Sequence, residues 1–329
     1  MKKFSIPYTK GIGEIGIDFD LVSDLYFSDG LFKSARDISL SREEKEEIFY
    51  LKKVLGMKLN YLINPSFYDL DFYLNLKNVF RKIEILKEVY DIDFLTLNNT
   101  YLIAIYEFRK LLFDLNIEIK LSVNCRVDSL EKLKLFHQDF AIKHFYLDRN
   151  LNRNYEELKK CIKYAMENNL NISLLVNEGC LPNCPYKKFC DDLVVFESNL
   201  TDEEKRKEIQ ELKHNIGCVS DFQNEPWRGL QSPWISPLWV DYYDYVDFKI
   251  AGRNKHKFVL KEIIDAYFNR KGNLQLYKAF STFRVYDNIT FYDLEEFDFF
   301  SHVKNCKLNC HSCSFCKNVY LKLMEEKYA

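Results

Sequence analysis

Three cysteines that follow an apolar segment in the middle of the chain are the residues best suited to chemistry. Residues 172–176 are β-branched residues, leucine and serine, and they predict a buried strand. The polar loop that comes next carries Cys180, Cys184 and Cys190. Thiolates at such spacings can converge on one small inorganic core when a loop wraps around it. The pattern therefore predicts an iron–sulfur cluster at the end of a strand.

A closed cluster needs a fourth thiolate, and the sequence offers two candidates for it. Cys218 is the first choice, because it follows a predicted helix over residues 201–214 and precedes the next strand on the same rim. Cys125, at the end of another predicted strand, is the reserve. Cys161 lies on the apolar stripe of a predicted helix, where a free cysteine packs like a small hydrophobic residue.

A second cysteine quartet lies near the carboxyl terminus. Cys306, Cys310, Cys313 and Cys316 fall within eleven residues, which is a strong indication of metal binding. Iron–sulfur is favoured here, and zinc in a structural tetrathiolate site is the alternative. The two quartets could share ligands, so the sequence allows one or two [4Fe–4S] clusters.

The first three tail cysteines also have the C-x3-C-x2-C spacing that radical S-adenosylmethionine enzymes use. In those enzymes the motif usually follows the first strand of the barrel, whereas here it comes after the last predicted strand. We therefore interpret the segment as a cluster-binding tail.

Composition limits where the protein works and what it binds. The chain has 329 residues, 47% of them hydrophobic, and a net charge of −2, so it offers a large core and no general basic field for nucleic acid. We find no secretory signal and no apolar run long enough for a membrane helix, and we expect a cytoplasmic protein. Thiols stay reduced there, and eight of the ten cysteines follow residue 179, which favours metal over disulfides.

Strands and helices alternate along the chain in steps of about 25 to 30 residues, which is typical of a parallel sheet. The leading architecture is α/β, a (β/α)8 TIM-type barrel over residues 1–271 with a cysteine loop at 180–218. A cysteine-rich C-terminal extension follows at 272–329. An open doubly wound sheet is the alternative, and it is weakened by the lack of a glycine-rich phosphate turn. The predicted strands are residues 22–28, 58–63, 93–97, 118–123, 144–147, 172–176, 232–235 and 246–250.

A barrel of this kind places its active site at the carboxyl ends of the strands. Glu178 and Arg253 flank the cysteine-bearing loops, and Lys249 lies at the end of the last predicted strand. We expect Glu178 to move protons, and Lys249 and Arg253 to hold an anionic group. Other polar residues at predicted strand ends could equally belong to the site or simply mark where a strand leaves the core: Asn64, Asn98, Asn99, Asn124, Asp148 and Asn177.

Three segments carry a family resemblance: LLVNEGCLPNCPYKKFC, SPWISP and YDYVDFKIAGR. Together they resemble the barrel domain of the collagenase-like peptidase superfamily, peptidase family U32. That superfamily also contains oxygen-independent ubiquinone-biosynthesis hydroxylases and related RNA hydroxylation proteins. The resemblance covers roughly residues 20 to 255 and implies a TIM barrel. It also implies a [4Fe–4S] centre on Cys180, Cys184, Cys190 and Cys218.

The function expected from these features is oxygen-independent redox chemistry, most simply hydroxylation of a small-molecule, RNA or peptide substrate. The alternatives are a cluster-carrying maturation or electron-transfer partner without its own catalysis, or a zinc-stabilised scaffold. A protein partner or electron donor would accompany the redox role. We find no protease nucleophile arrangement and no zinc-protease motif, so peptidase activity is not expected.

Overall fold

Eight parallel strands close into a barrel in the computed structural model, which describes residues 1–32, 39–215, 218–280 and 288–328. The predicted (β/α)8 fold is therefore confirmed, and the open doubly wound sheet is wrong. Each strand pairs with its neighbour along the chain, and β1 also pairs with β8 to close the ring. The strands are β1 Phe4–Pro7, β2 Val22–Phe27, β3 Leu59–Ile63, β4 Phe94–Leu97, β5 Glu118–Leu121, β6 His144–Tyr146, β7 Asn171–Leu175 and β8 Asp247–Lys249.

Helices surround the barrel, and the predicted helix over residues 201–214 is one of them. Ser41 caps the first helix with a capping box to Glu44, which fixes where that helix begins. The α-helices are α1 Arg42–Lys53, α2 Leu70–Leu74, α3 Leu76–Tyr90, α4 Thr100–Ala104, α5 Tyr106–Asp114, α6 Leu130–Phe140, α7 Tyr155–Glu167, α8 Lys187–Asn199, α9 Glu203–Asn215, α10 Cys218–Asn224, α11 Lys257–Phe268, α12 Leu276–Ala279, α13 Phe291–Glu295, α14 Phe299–Val303 and α15 Phe315–Tyr328.

The predicted set of strands needs two corrections, one strand that it missed and one that it included wrongly. The first strand of the barrel is β1, which the sequence did not indicate because it has only four residues and ends in Pro7, which lacks a backbone donor. Residues 232–235, predicted as a strand, lie instead between the 3₁₀ segments Pro226–Gln231 and Pro237–Tyr242. A backbone hydrogen bond from Ile235 to the carbonyl of Val176 (2.9 Å) attaches this stretch to the end of β7 without forming a ladder.

A polar network lies inside the barrel, below the carboxyl ends of its strands. Asp24 is fully buried and accepts hydrogen bonds from Ser5 (2.8 Å) and Asn60 (2.8 Å). It also pairs with Lys120 (2.5 Å). The Tyr146 hydroxyl joins the network through Ser5 (2.9 Å). Because each of these buried polar groups has a hydrogen-bond partner, burying the network does not destabilise the fold.

The C-terminal segment packs on the side of the barrel through aromatic residues. Trp234 stacks on Trp239 (ring centroids 5.2 Å apart) and on Phe299 of α14 (5.6 Å). Trp234 and Trp239 are buried. Within the described ranges, no helix has the length and apolar character needed to cross a bilayer.

Candidate functional site at the barrel mouth

The three residues predicted to be catalytic all lie at the carboxyl end of the barrel. Glu178 follows β7, Lys249 is the last residue of β8, and Arg253 comes four residues after it. Parallel strands send their carboxyl ends to one face, so the loops after β7 and β8 share the mouth. Electrostatic interactions join the three residues, since both Arg253 and Glu178 act on the pKa of Lys249.

Glu178 is held as a carboxylate by basic neighbours. It forms an ion pair with Arg149, which follows β6 at the mouth and is itself buried. Burial alone would raise the pKa of Glu178, but Arg149 and Lys187 together keep it below the usual range. The Cys180 thiol donates to Glu178 Oε1 (3.5 Å), so the cysteine loop and the carboxylate are in direct contact.

Lys249 is a buried amine with two aromatic walls. Lys249 is 8% exposed. Its Nζ is 4.3 Å from the ring centroid of Tyr26 and 4.1 Å from that of Tyr146. Burial lowers the pKa of Lys249 to about 7, and Arg253 and Lys120 act in the same direction. Asp24 and Glu178 oppose the shift. A lysine in this state can exchange a proton near neutral pH.

Arg253 is anchored to the segment that follows β2. Its Nη1 donates to the hydroxyl of Ser28 (3.1 Å), which lies just past the end of β2. The guanidinium is thereby held at the barrel mouth, where it can bind an oxygen of a bound molecule.

Several of the other polar strand ends have structural roles. The Asn177 amide donates to the carbonyl of Ala251 (2.9 Å), and its Oδ1 accepts from the N–H of the same residue (2.6 Å). Asn99 caps α4, and Asp148 caps the 3₁₀ segment Arg149–Arg153. For these three residues, the ordinary strand-exit interpretation is sufficient.

The sequence reasoning missed the basic partners of Glu178. Arg149 directly follows a predicted strand, and Lys187 lies inside the cysteine-rich stretch, so position alone could have singled out both. The sequence does not show that the loops after β6 and β7 contact each other, because the folded barrel brings them together.

The mouth cysteines are free thiols that interact with one another. Burial raises the pKa of Cys218 to about 11, and Cys190 and Cys184 add to the increase. Burial, followed by Glu178, also raises the pKa of Cys180, and Cys218 contributes as well. Neutral buried thiols become thiolates readily when a metal supplies positive charge, so this donor set suits a metal cluster.

The reserve ligand Cys125 and Cys161, which was predicted to pack in the core, lie apart from the mouth quartet. The Cys125 thiol donates to the carbonyl of Leu97 (3.6 Å), and Cys161 is buried in the core on α7. In the part of the chain that the structure describes, no three His, Cys, Asp or Glu side chains are arranged to hold a single metal ion. The tail quartet lines a small cavity: Cys306, Cys310, Cys313 and Cys316.

Comparison with known proteins finds one similar curated protein and one similar solved structure. No protein-family model matches the chain. A curated protein of Methanocaldococcus jannaschii, named as the uncharacterized protease MJ1657, is 26% identical over 243 residues, covering 72% of this chain and 68% of its own. The solved U32 peptidase Mk0906 shares the fold with a TM-score of 0.51 at 16% identity, covering 77% of this chain and 94% of its own. The resemblance to the U32 peptidase family is confirmed.

The U32 resemblance corrects the predicted function. An oxygen-independent redox hydroxylase is not supported, because the relative and the solved structure are named protease and peptidase. The statement that peptidase activity is not expected is wrong for the same reason. Cysteine spacing indicates which cofactor a loop can hold, but it does not specify the reaction carried out beside it.

Proposed function

We propose that the chain hydrolyses peptide bonds at the barrel mouth. The observation that carries the proposal is the meeting of Glu178, Lys249 and Arg253 at the carboxyl ends of the strands, with Lys249 tuned to a pKa of about 7. The protease name of the Methanocaldococcus relative supports the same reaction class. The substrate is a peptide, and the loops around the mouth determine which peptide sequences are cleaved.

The proposed chemistry is addition of water to a peptide carbonyl. The neutral amine of Lys249 takes a proton as the water oxygen bonds to the carbonyl carbon. Arg253 stabilises the negative charge that develops on the carbonyl oxygen. The C–N bond then breaks, and Lys249 returns its proton to the leaving amine. Glu178, fixed by Arg149, orients the water and balances the ammonium of Lys249.

We also propose that the mouth cysteines bind a [4Fe–4S] cluster. Four thiols whose charges act on one another, one of which contacts Glu178, fit such a group. A bound cluster would cross-link the loop after β7 and place fixed negative charge beside Arg149 and Lys187. All ten cysteines are free of disulfides, which supports the further proposal of a reducing, cytoplasmic location.

A peptide library with a mass-spectrometric readout tests the function. We expect wild-type protein to cleave a subset of peptides, and Lys249→Met to lose at least about a hundredfold in rate, because general base catalysis contributes that much. Lys249→Arg should be equally slow, since a guanidinium stays protonated. Lys163→Met is the matched control, because the Lys163 side chain is 79% exposed. Equal cleavage by wild type and Lys249→Met would contradict the assignment.

A further inference from the structure

The tail cysteines surround one cavity together with a buried cation. Cys306, Cys310, Cys313 and Cys316 line a space of about 30 Å³, and Arg153 forms part of the same wall. The thiols are all free, and three of them are partly buried while Cys313 is exposed. Four thiols that face a shared space are a ligand set rather than scattered core residues.

Arg153 is a buried guanidinium with an unused donor. The residue is 1% exposed, and its guanidinium carbon lies 4.8 Å from the ring centroid of Trp234. One terminal nitrogen donates to the carbonyl of Ser232 (2.9 Å), but Nε has no hydrogen-bond partner. Within the described ranges, Arg153 forms no ion pair with a carboxylate. A buried charge without a counter-charge raises the free energy of the folded protein. An anion bound next to Arg153 would remove this cost.

The tail thiols are the groups that can supply that anion. Cys306, Cys310 and Cys316 line the same cavity as Arg153. As protonated thiols they carry no charge that could balance the guanidinium. Bound to metal, the same four sulfurs are thiolates, and a tetrathiolate centre has a net negative charge.

We propose that the tail quartet binds a closed iron–sulfur cluster whose negative charge is balanced by Arg153. The four thiols border one cavity. Cys310, Cys313 and Cys316 also have the C-x2-C-x2-C spacing that is typical of iron–sulfur ligands. Four cysteine ligands leave no open coordination position for a substrate on the cluster.

The centre would also support the candidate active site through one short segment. Arg153 ends the 3₁₀ segment that begins with Arg149, the ion-pair partner of Glu178. The N–H of Lys307, inside the tail motif, donates to the carbonyl of Arg153 (3.2 Å). The N–H of Tyr155 donates to the carbonyl of Lys304 (3.1 Å). Metal binding in the tail therefore fixes the loop that positions Arg149.

Metal counting in variants that separate the two quartets tests the proposal without using peptide cleavage. Protein is purified anaerobically and assayed for iron, sulfide and zinc. Cys184→Ser/Cys190→Ser should retain about four irons and four sulfides per chain in the tail. Adding Cys310→Ser/Cys313→Ser should remove them, whereas adding Cys161→Ser, in the core, should not. A folded Cys184→Ser/Cys190→Ser protein without iron, or with one zinc in its place, would overturn the proposal.

The role of Arg153 has a separate readout in the Cys184→Ser/Cys190→Ser background. We expect Arg153→Met to release iron to a chelator about tenfold faster, because neighbours of metal ligands commonly contribute this much. Arg153→Lys keeps the positive charge and should release iron at close to the parent rate. Thermal unfolding monitored by circular dichroism establishes that each variant is folded. Identical release from the parent and a folded Arg153→Met would contradict the charge-balancing role.

Discussion

Lys249 is the residue whose environment has the most direct consequence for activity. Groups from four directions act on its charge: Asp24 on β2, Lys120 on β5, Glu178 after β7 and Arg253 after β8. The aromatic walls are Tyr26 and Tyr146. Burial dominates and favours the neutral amine, which is the form that can accept a proton.

The pH dependence of peptide cleavage follows from this. Above its pKa of about 7 the amine is neutral and acts as a base, and below that pH it is protonated and inactive. We expect kcat/KM to rise with pH through about 7 and to level off above it. Steady-state rates in buffers of constant ionic strength measure the profile. A value of kcat/KM that stays constant between roughly one pH unit below and one above this pKa would exclude Lys249 as the base.

Stability should depend on the same proton. The pKa of Lys249 is about 7 in the folded chain and 10.5 in its ordinary state, so between these values the unfolded chain binds more protons. The free energy of unfolding therefore gains from this residue as pH rises from about 7 to 10.5. Lys249→Met removes the buried charge and should stabilise the protein by on the order of 3 kcal/mol at pH 6, and by less at pH 9.

Denaturant unfolding of wild type and Lys249→Met at the two pH values measures this difference. The exposed Lys163→Met variant should show no such pH-dependent gain. Equal stabilisation of Lys249→Met at both pH values would mean that Lys249 stays protonated in the folded protein throughout this range, so that its pKa is not lowered to about 7.

Among the elements, the ends of β7 and β8 are joined by one side chain. Asn177 makes two hydrogen bonds with the backbone of Ala251 and one with the carbonyl of Ala279 (3.3 Å). Asn177→Ala would leave buried backbone groups unpaired, and we expect a loss of about 2 kcal/mol in the free energy of unfolding. Asn171→Ala, at the exposed start of the same strand, should change it by less than about 0.5 kcal/mol. Equal losses would contradict this role for Asn177.

Strand and helix positions were largely predictable because the apolar pattern repeats. The predicted strands at 93–97 and 172–176 correspond closely to β4 and β7. The errors lie where local pattern and tertiary structure disagree. β1 is too short to be recognised by itself and exists because β2 and β8 pair with it. The stretch 232–235 looks like a strand but packs its tryptophan against Trp239 and Phe299 instead.

At the level of the whole molecule, barrel closure explains why part of the site could be predicted. Glu178, Lys249 and Arg253 were recognisable because strand ends of a parallel barrel share one face. The pairing of Glu178 with Arg149 was not, since it depends on how two loops meet. The reaction was predicted wrongly because the cysteine motifs dominate the sequence, whereas the acid–base groups beside them are ordinary residues in an unusual setting.

The iron content of the whole protein should depend on the mouth quartet. Cys184→Ser/Cys190→Ser should lose about four of the eight irons expected when both quartets are filled. The variant should also unfold at a lower temperature, because the loop after β7 loses its cross-link. Iron analysis and thermal melts measure both effects, with Cys161→Ser as the control. Unchanged iron in the double variant would exclude these cysteines as ligands.

The most direct test of the central claim, peptide hydrolysis at the barrel mouth, is isotope labelling of the products. Cleaved peptides from a reaction in water enriched in oxygen-18 are analysed by mass spectrometry, with wild type, Lys249→Met and Lys163→Met purified in parallel. We predict one heavy oxygen in each new carboxyl terminus for wild type and Lys163→Met, and almost no labelled product for Lys249→Met. Absence of labelled product from wild type, or equal labelling by Lys249→Met, would contradict the account.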